Sequence, residues 1–181
     1  AAGHEVGSHG FWHRLVYSQT PEEFRQDLRD SKAAIEDAIG TSVGCYRAPT
    51  FSITRRSLWA LEILLEEGFT ADSSIFPVRH HRYGIAGGER GLHRVRTQSG
   101  DLWEFPPAVV RAAGRNFAVG GGGYFRLLPL WLTQAGLRRI DRSFMFYIHP
   151  WELDPGQPRL RTGTRRDRFR HYVGLSGTGS K

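Results

Sequence analysis

Apolar residues recur at helical spacing in the stretch that follows residue 19. Phe24, Leu28, Ile35 and Ile39 fall on one face, the pattern of an amphipathic helix with a single buried stripe. Both ends of that helix are signalled. Thr20, Pro21 and Glu23 make a capping box with proline in the first turn, and Gly40 supplies the stop. SVGCYRAP (42–49) reads as a short strand ending at Arg47 and broken by Pro49. A second helix is predicted after it, capped by Thr54, buried through Leu58, Leu61 and Leu65, and ended by Gly68.

FTADSSIF (69–76) reads as another strand. Residues 79–100 are polar, glycine-rich and arginine-rich and are expected to form a long loop. GDLWEFPPAVV (100–110) gives a further strand. AVGGGGYF (118–125) is a glycine turn leading into a helical segment, LLPLWLTQAG (127–136), with Gly136 as its stop. FMFYIHPWE (144–152) is continuously apolar up to His149 and reads as a strand buried on both faces. The remainder is basic and fades into a Gly/Ser tail, so a domain over 1–158 with a C-terminal extension over 159–181 is expected. The opening Ala1–Ala2–Gly3 reads as the end of a helix already under way.

Strands alternate with helices along most of the chain, which predicts an α/β fold with parallel strands. Arg47, Asp72 and His149 each fall at or near the C-terminal end of a predicted strand. In α/β barrels that is the face where active sites are built.

Composition narrows the picture without deciding it. The chain has 181 residues, 39% hydrophobic and 24% charged, a length and balance suited to a folded domain with a sizeable core. The longest apolar runs are far short of a membrane span. One cysteine, Cys45, excludes an internal disulfide framework. The formal net charge of +7 could attract nucleic acid, anionic lipid or an acidic polymer. The basic residues concentrate toward the C-terminus, and no nucleic-acid partner is expected.

The histidines of HEVGSHGFWH (4–13) change the picture most. HEVGSH misses the zinc-protease pattern HExxH by one position, which on a helix would turn the second imidazole off the face of His4. His9 and His13 are four apart, the spacing that puts two imidazoles on one side of a helical turn. They could be facial ligands to Zn²⁺ or a similar ion, or two surface histidines. His4 reads as a packed core residue. His149, at the mouth of an apolar strand, suits a general acid or base or a structural bond to a loop carbonyl. Arg47 could orient a carboxylate, bind substrate or make an ordinary ion pair. Asp72 could bond a catalytic group or cap the turn at Ser73 and Ser74.

HGFWH (9–13), YRAPTF (46–51) and FYIHPW (146–151), in that order, resemble the second, third and fifth motifs of NodB-like polysaccharide deacetylases, carbohydrate esterase family four. The subgroup found beside bacterial exosortase (PEP-CTERM) exopolysaccharide clusters is more similar still. That similarity rests on GHEVGSHGFWHRLVY, CYRAPTFSITRRSLWAL, DSSIFPVRHHRYG, LWEFPP, GGGYFRLLP and MFYIHPWELDP.

The resemblance implies a distorted (β/α) barrel and metal-dependent hydrolysis of N-acetyl groups on a polysaccharide, releasing acetate. It implies a metal held by one Asp and two His, here His9 and His13, with Zn²⁺ the default and Co²⁺ or Ni²⁺ suited to the same ligands. His149 would protonate the leaving amine, Arg47 would position the catalytic base, and the N–H near Thr50 would help hold the oxyanion. Asp72 falls roughly where the family places an acid that tunes the catalytic histidine, without the tryptophan that accompanies it there. Thr50, Phe51, Tyr124 and Trp151 are the expected substrate contacts, with Trp103 a further aromatic that could stack on sugar or pack in a wall. The family's first motif, which supplies the metal-binding Asp and the Asp base, precedes the histidine pair. The chain begins three residues before His4, so an N-terminally truncated barrel is expected. A carbohydrate-binding remnant without turnover is the competing expectation.

Overall fold

Thr20 and Glu23 cap each other as their spacing predicts. The Thr20 hydroxyl accepts the Glu23 N–H at 3.2 Å, and the Glu23 carboxylate accepts the Thr20 N–H at 2.8 Å. Helix α1 (Pro21–Ile39) starts there and stops at Gly40, which takes the left-handed φ of 70°. In this computed structural model, residues 3–181 are described. They divide into two compact units, 1–106 and 107–181. The helix end expected at Ala1 and Ala2 lies outside the described residues.

In the first unit α1 packs on α2 (Trp59–Glu66). Phe24 and Leu28 of α1 are fully buried with Leu61 and Leu64 of α2 and with Val43, Phe69 and Leu102. Each such side chain contributes about 1.5–3 kcal/mol by leaving water. Outside this core, Arg25 and Arg29 of α1 pair with Glu67, and Arg25 also with Glu66. Leu58 is exposed, and Ala60, Leu61, Ile63 and Leu64 carry the burial instead. Thr54 does not cap α2. It closes a tight turn with Ser57, whose hydroxyl accepts the Thr54 N–H at 3.0 Å, and α2 begins five residues after Thr54 without a side-chain cap.

Beneath the helices lies a four-stranded sheet of β1 (Cys45–Tyr46), β2 (Ala71–Asp72), β3 (His93–Arg96) and β4 (Asp101–Glu104). Its order is β1-β2-β4-β3. β1, β2 and β4 run parallel, which is the barrel-like part of a mixed α/β fold, and β3 returns antiparallel on β4. β3 lies inside the stretch expected to be loop. Its four residues HRVR lack an apolar stripe, and pairing with β4 rather than its own pattern makes it a strand. His4 is exposed and outside any strand, not packed in a core.

In the second unit, β5 (Val109–Ala112) and β6 (Arg115–Ala118) form a hairpin. Its turn residues Ala113 and Gly114 both have positive φ, 46° and 73°, the backbone of the tightest hairpin turns. The single strand expected over 100–110 is therefore two, separated by Pro106 and Pro107, which cannot donate to a ladder. Four helices follow: α3 (Gly122–Leu127), α4 (Leu130–Leu137), α5 (Arg165–Tyr172) and α6 (Leu175–Thr178). Gly136 lies within α4 instead of stopping it. A Cβ there would meet Val119 Cγ1 at 2.9 Å, so close packing explains the glycine.

FMFYIHPWE is not a buried strand among the described residues. Met145 makes one isolated bridge with Pro107, and Ile148 is exposed. The backbone bonds of this segment go elsewhere. Ala108 donates to the Met145 carbonyl at 2.9 Å and Gly122 to the Tyr147 carbonyl at 3.0 Å. The glycine turn makes that possible, because a Cβ on Gly121 would sit 2.1 Å from the Tyr147 carbonyl oxygen.

Candidate functional site

His9 and His13 come together, although the chain between them is a loop and not the helical turn that their spacing suggests. Their rings stand edge to face with centroids 5.0 Å apart. Asp27, buried on α1, shapes the loop. Its two carboxylate oxygens accept the N–H groups of Phe11 at 3.1 Å and Trp12 at 3.0 Å. Gly10 permits that approach, with φ of 78° and a Cβ position only 2.8 Å from Asp27 Oδ2. His13 itself holds φ of 53°, a left-handed conformation that costs a non-glycine residue about 1–3 kcal/mol and clusters at functional sites.

The His9 ring is oriented from behind. Its Nδ1 lies 2.6 Å from the Arg47 carbonyl oxygen. A carbonyl only accepts, so Nδ1 carries the proton, and in the neutral ring the lone pair is on Nε2. That is the arrangement by which a ligating histidine is fixed in tautomer and direction. A chelating imidazole pair fits a divalent ion on that chemistry. Among the described residues no third His, Cys, Asp or Glu joins them.

Arg47 follows β1. Its N–H donates to the Ser8 carbonyl at 3.0 Å, which ties β1 to the histidine loop. Its guanidinium makes long bonds to Ser73, 3.4 Å to the carbonyl and 3.3 Å to the hydroxyl. Just beyond, Thr50 and Phe51 hold consecutive left-handed φ values of 58° and 52°. For β-branched Thr50 that is a marked outlier. Phe51 is buried and packs edge to face on Phe76, centroids 5.1 Å apart.

Asp72 ends β2, buried, directly across from buried Glu104 at the end of β4. The Ser74 hydroxyl donates to Asp72 Oδ1, and the Ile75 N–H donates to Glu104 Oε1 at 2.9 Å. Burial pushes both carboxyl groups above their ordinary range, and the Asp72 charge raises Glu104 further. Glu104 was not legible as chemistry in LWEFPP; only its register opposite Asp72 reveals it.

In the second unit His149 stands half-exposed at the head of a 3₁₀ turn over Pro150–Leu153. The acid that touches it is Glu152, with Oε2 2.9 Å from the ring Nδ1 and 2.9 Å from the His149 backbone N. Glu152 Oε1 accepts from buried Arg126 Nε at 2.8 Å. Although buried, the Glu152 carboxyl is held below its ordinary range by its bonds to His149 and Arg126. Arg126 also donates to the carbonyls of Arg170, His171 and Val173 at 2.8–3.0 Å. The sequence signal for Glu152 was present: proline one residue and Glu three residues after His149 is a helix-start pattern.

Trp151 is half-buried and stacks on His171, centroids 4.4 Å apart, with Arg126 over its ring. Tyr124 is half-buried on α3. Trp103, on β4, is exposed with Arg94 over its ring at 4.7 Å.

Comparison with known families divides the chain in a similar way. The family described as polysaccharide deacetylase matches residues 1–65, which hold His9, His13, Arg47 and Thr50. The family described as domain of unknown function DUF3473 matches residues 73–181, which hold Glu104, His149 and Glu152. The chain belongs to the DUF3473 family, and its residues 1–65 match the polysaccharide deacetylase family. A comparison with curated proteins gives no match. Among solved structures, a Mycobacterium smegmatis protein assigned as a polysaccharide deacetylase aligns over 98% of this chain, with a TM-score of 0.55 and 19% identity. A Pseudomonas aeruginosa PAO1 protein with the same assignment aligns over 94%, with a TM-score of 0.47 and 13% identity. The chain spans 59% of the first structure and 52% of the second. The first likeness establishes the fold.

Proposed function

We propose that this protein hydrolyses N-acetyl groups on a bacterial exopolysaccharide, releasing acetate and a free amine on the sugar. The observation that carries the reading is the paired imidazoles of His9 and His13, with His9 Nδ1 anchored on the Arg47 carbonyl. That pairing lies in the segment matched by the polysaccharide deacetylase family. A divalent ion, Zn²⁺ by ligand preference with Co²⁺ or Ni²⁺ suited to the same set, would supply an acidified water and a positive charge beside the acetyl oxygen. His9 and His13 would hold it together with a carboxylate.

The chain's own residues supply the rest. The N–H near Thr50, on a left-handed backbone, donates to the acetyl oxygen as negative charge gathers there. Arg47 would position the catalytic base, a carboxylate that the resemblance places in the family's first motif. His149 delivers a proton to the amine nitrogen as the C–N bond breaks. Tyr124 and Trp151 are the aromatics proposed to meet the sugar, Trp151 by its ring edge because His171 and Arg126 lie over its faces, and Asp72 supports the strand end from which Arg47 is held.

A second reading, carbohydrate binding without turnover by this chain alone, is favoured by the lack of a third ligand beside the histidine pair among the described residues. Acetate release from an N-acetylated glucosamine polymer separates the two. Deacetylation predicts release by the full-length gene product that is abolished by a chelator and restored by Zn²⁺ or Co²⁺. Polymer retention with no acetate under any metal would establish the second reading instead.

A further inference from the structure

We infer that Glu152 is a positioning residue for His149, fixing its imidazole so that Nδ1 carries a proton bound to the carboxylate and Nε2 is the atom that handles the proton in turnover. The geometry is that of a clamp. One oxygen, Glu152 Oε2, reaches both the His149 backbone N–H and the ring Nδ1, each at 2.9 Å. The other, Oε1, is fixed by Arg126 Nε at 2.8 Å. Arg126 is itself immobilised by three carbonyls, those of Arg170, His171 and Val173. Glu152 and Arg126 are almost fully buried, whereas half of the His149 side chain is exposed. A rigid buried pair thus supports a ring whose outer edge reaches solvent.

The chemistry follows from acceptor and donor counts. A carboxylate bound to a guanidinium is an acceptor only, so the hydrogen between it and the imidazole belongs to Nδ1. Neutral His149 is then the Nδ1–H tautomer with a lone pair on Nε2. Protonated His149 gives up the Nε2 proton and returns to that tautomer. A capping box accounts for the bond from the His149 backbone N–H to Glu152; the contact of the same carboxylate oxygen with the ring Nδ1 is additional to it.

The inference rests on the proposed function only for the direction of proton transfer, since the tautomer is read without substrate. Long-range ¹H–¹⁵N spectra of the 181-residue chain at a pH where His149 is neutral are expected to show Nδ1 protonated and Nε2 unprotonated. A predominantly Nε2–H tautomer in the wild type overturns the inference, and it does so whether or not any variant folds. In Glu152→Gln, whose amide can donate to Nδ1, the Nε2–H tautomer is expected to rise to the majority. An unchanged tautomer in a folded Glu152→Gln also overturns it. In the full-length gene product the same variant is expected to lose at least tenfold in kcat with KM nearly unchanged. A normal kcat overturns the positioning role. Absence of acetate release from the wild type would count against the proposed function alone.

Discussion

Asp72 and Glu104 lie directly opposite one another on adjacent parallel strands, both buried, with Asp72 Oδ2 and Glu104 Oε2 receiving no hydrogen bond from any other described group. Two charged carboxylates cannot share such a site, and a proton held between them satisfies both oxygens. The pair closes the C-terminal end of the sheet, from which Ser74 also reaches the Ala48 N–H at 2.8 Å. It thereby steadies the turn that carries Arg47 and Thr50.

That proton makes stability depend on pH. The folded carboxyl groups titrate above their ordinary range, so the folded chain keeps a proton that the unfolded chain has released. The stabilisation is complete below the ordinary carboxylate range and is lost as pH rises through the folded values. Urea unfolding at pH 5 and pH 8 is expected to show lower stability at pH 8. Glu104→Gln, which donates to Asp72 at any pH, is expected to flatten most of that difference. Glu104→Ala is expected to cost about 2–4 kcal/mol through a cavity and an orphaned Ile75 N–H.

Asp27 is the residue on which the histidine loop depends. Asp27→Ala leaves the Phe11 and Trp12 N–H groups unpaired and is expected to cost about 2–3 kcal/mol in urea unfolding. Its effect on Zn²⁺ affinity, measured by calorimetric titration, is expected to be a loss of about 10–100-fold with both histidines intact. Unchanged affinity would show that the loop holds its shape without the carboxylate.

Arg126 joins the 3₁₀ turn of His149 to α5 and α6. Arg126→Met strands the Glu152 charge and three backbone carbonyls, a loss of about 3–5 kcal/mol. Amide hydrogen exchange over residues 165–178 is expected to accelerate well beyond that in β5 and β6.

Gly136 sets helix propensity against packing. Alanine in a helix interior gains about 1 kcal/mol over glycine, but a Cβ at 2.9 Å from Val119 must displace a buried side chain, at about 1–3 kcal/mol. Gly136→Ala is expected to lower thermal stability, and adding Val119→Ala is expected to recover part of the loss.

The parts of the fold legible in sequence were those with local causes. The capping box at Thr20 and the stop at Gly40 act within one helix and stand as read, while the stripe holds at Phe24 and Leu28, is partly buried at Ile35 and is exposed at Ile39. Elements set by distant partners were not legible. HRVR is a strand because β4 lies beside it, whereas FMFYI pairs at a single bridge, Met145 with Pro107. The same division holds at the site. The His9–His13 proximity was readable from spacing, but its cause is Asp27, fourteen residues beyond His13 on another element. Glu104 and Arg126 act through register and burial, which composition does not encode.

The proposed function assigns proton delivery to His149 and metal binding to His9 and His13. It is tested most directly by acetate release and zinc content measured together on the full-length His149→Ala gene product. The account expects turnover to fall by at least a hundredfold, with bound zinc equal to the wild type. Full activity in His149→Ala, at any metal content, would contradict it.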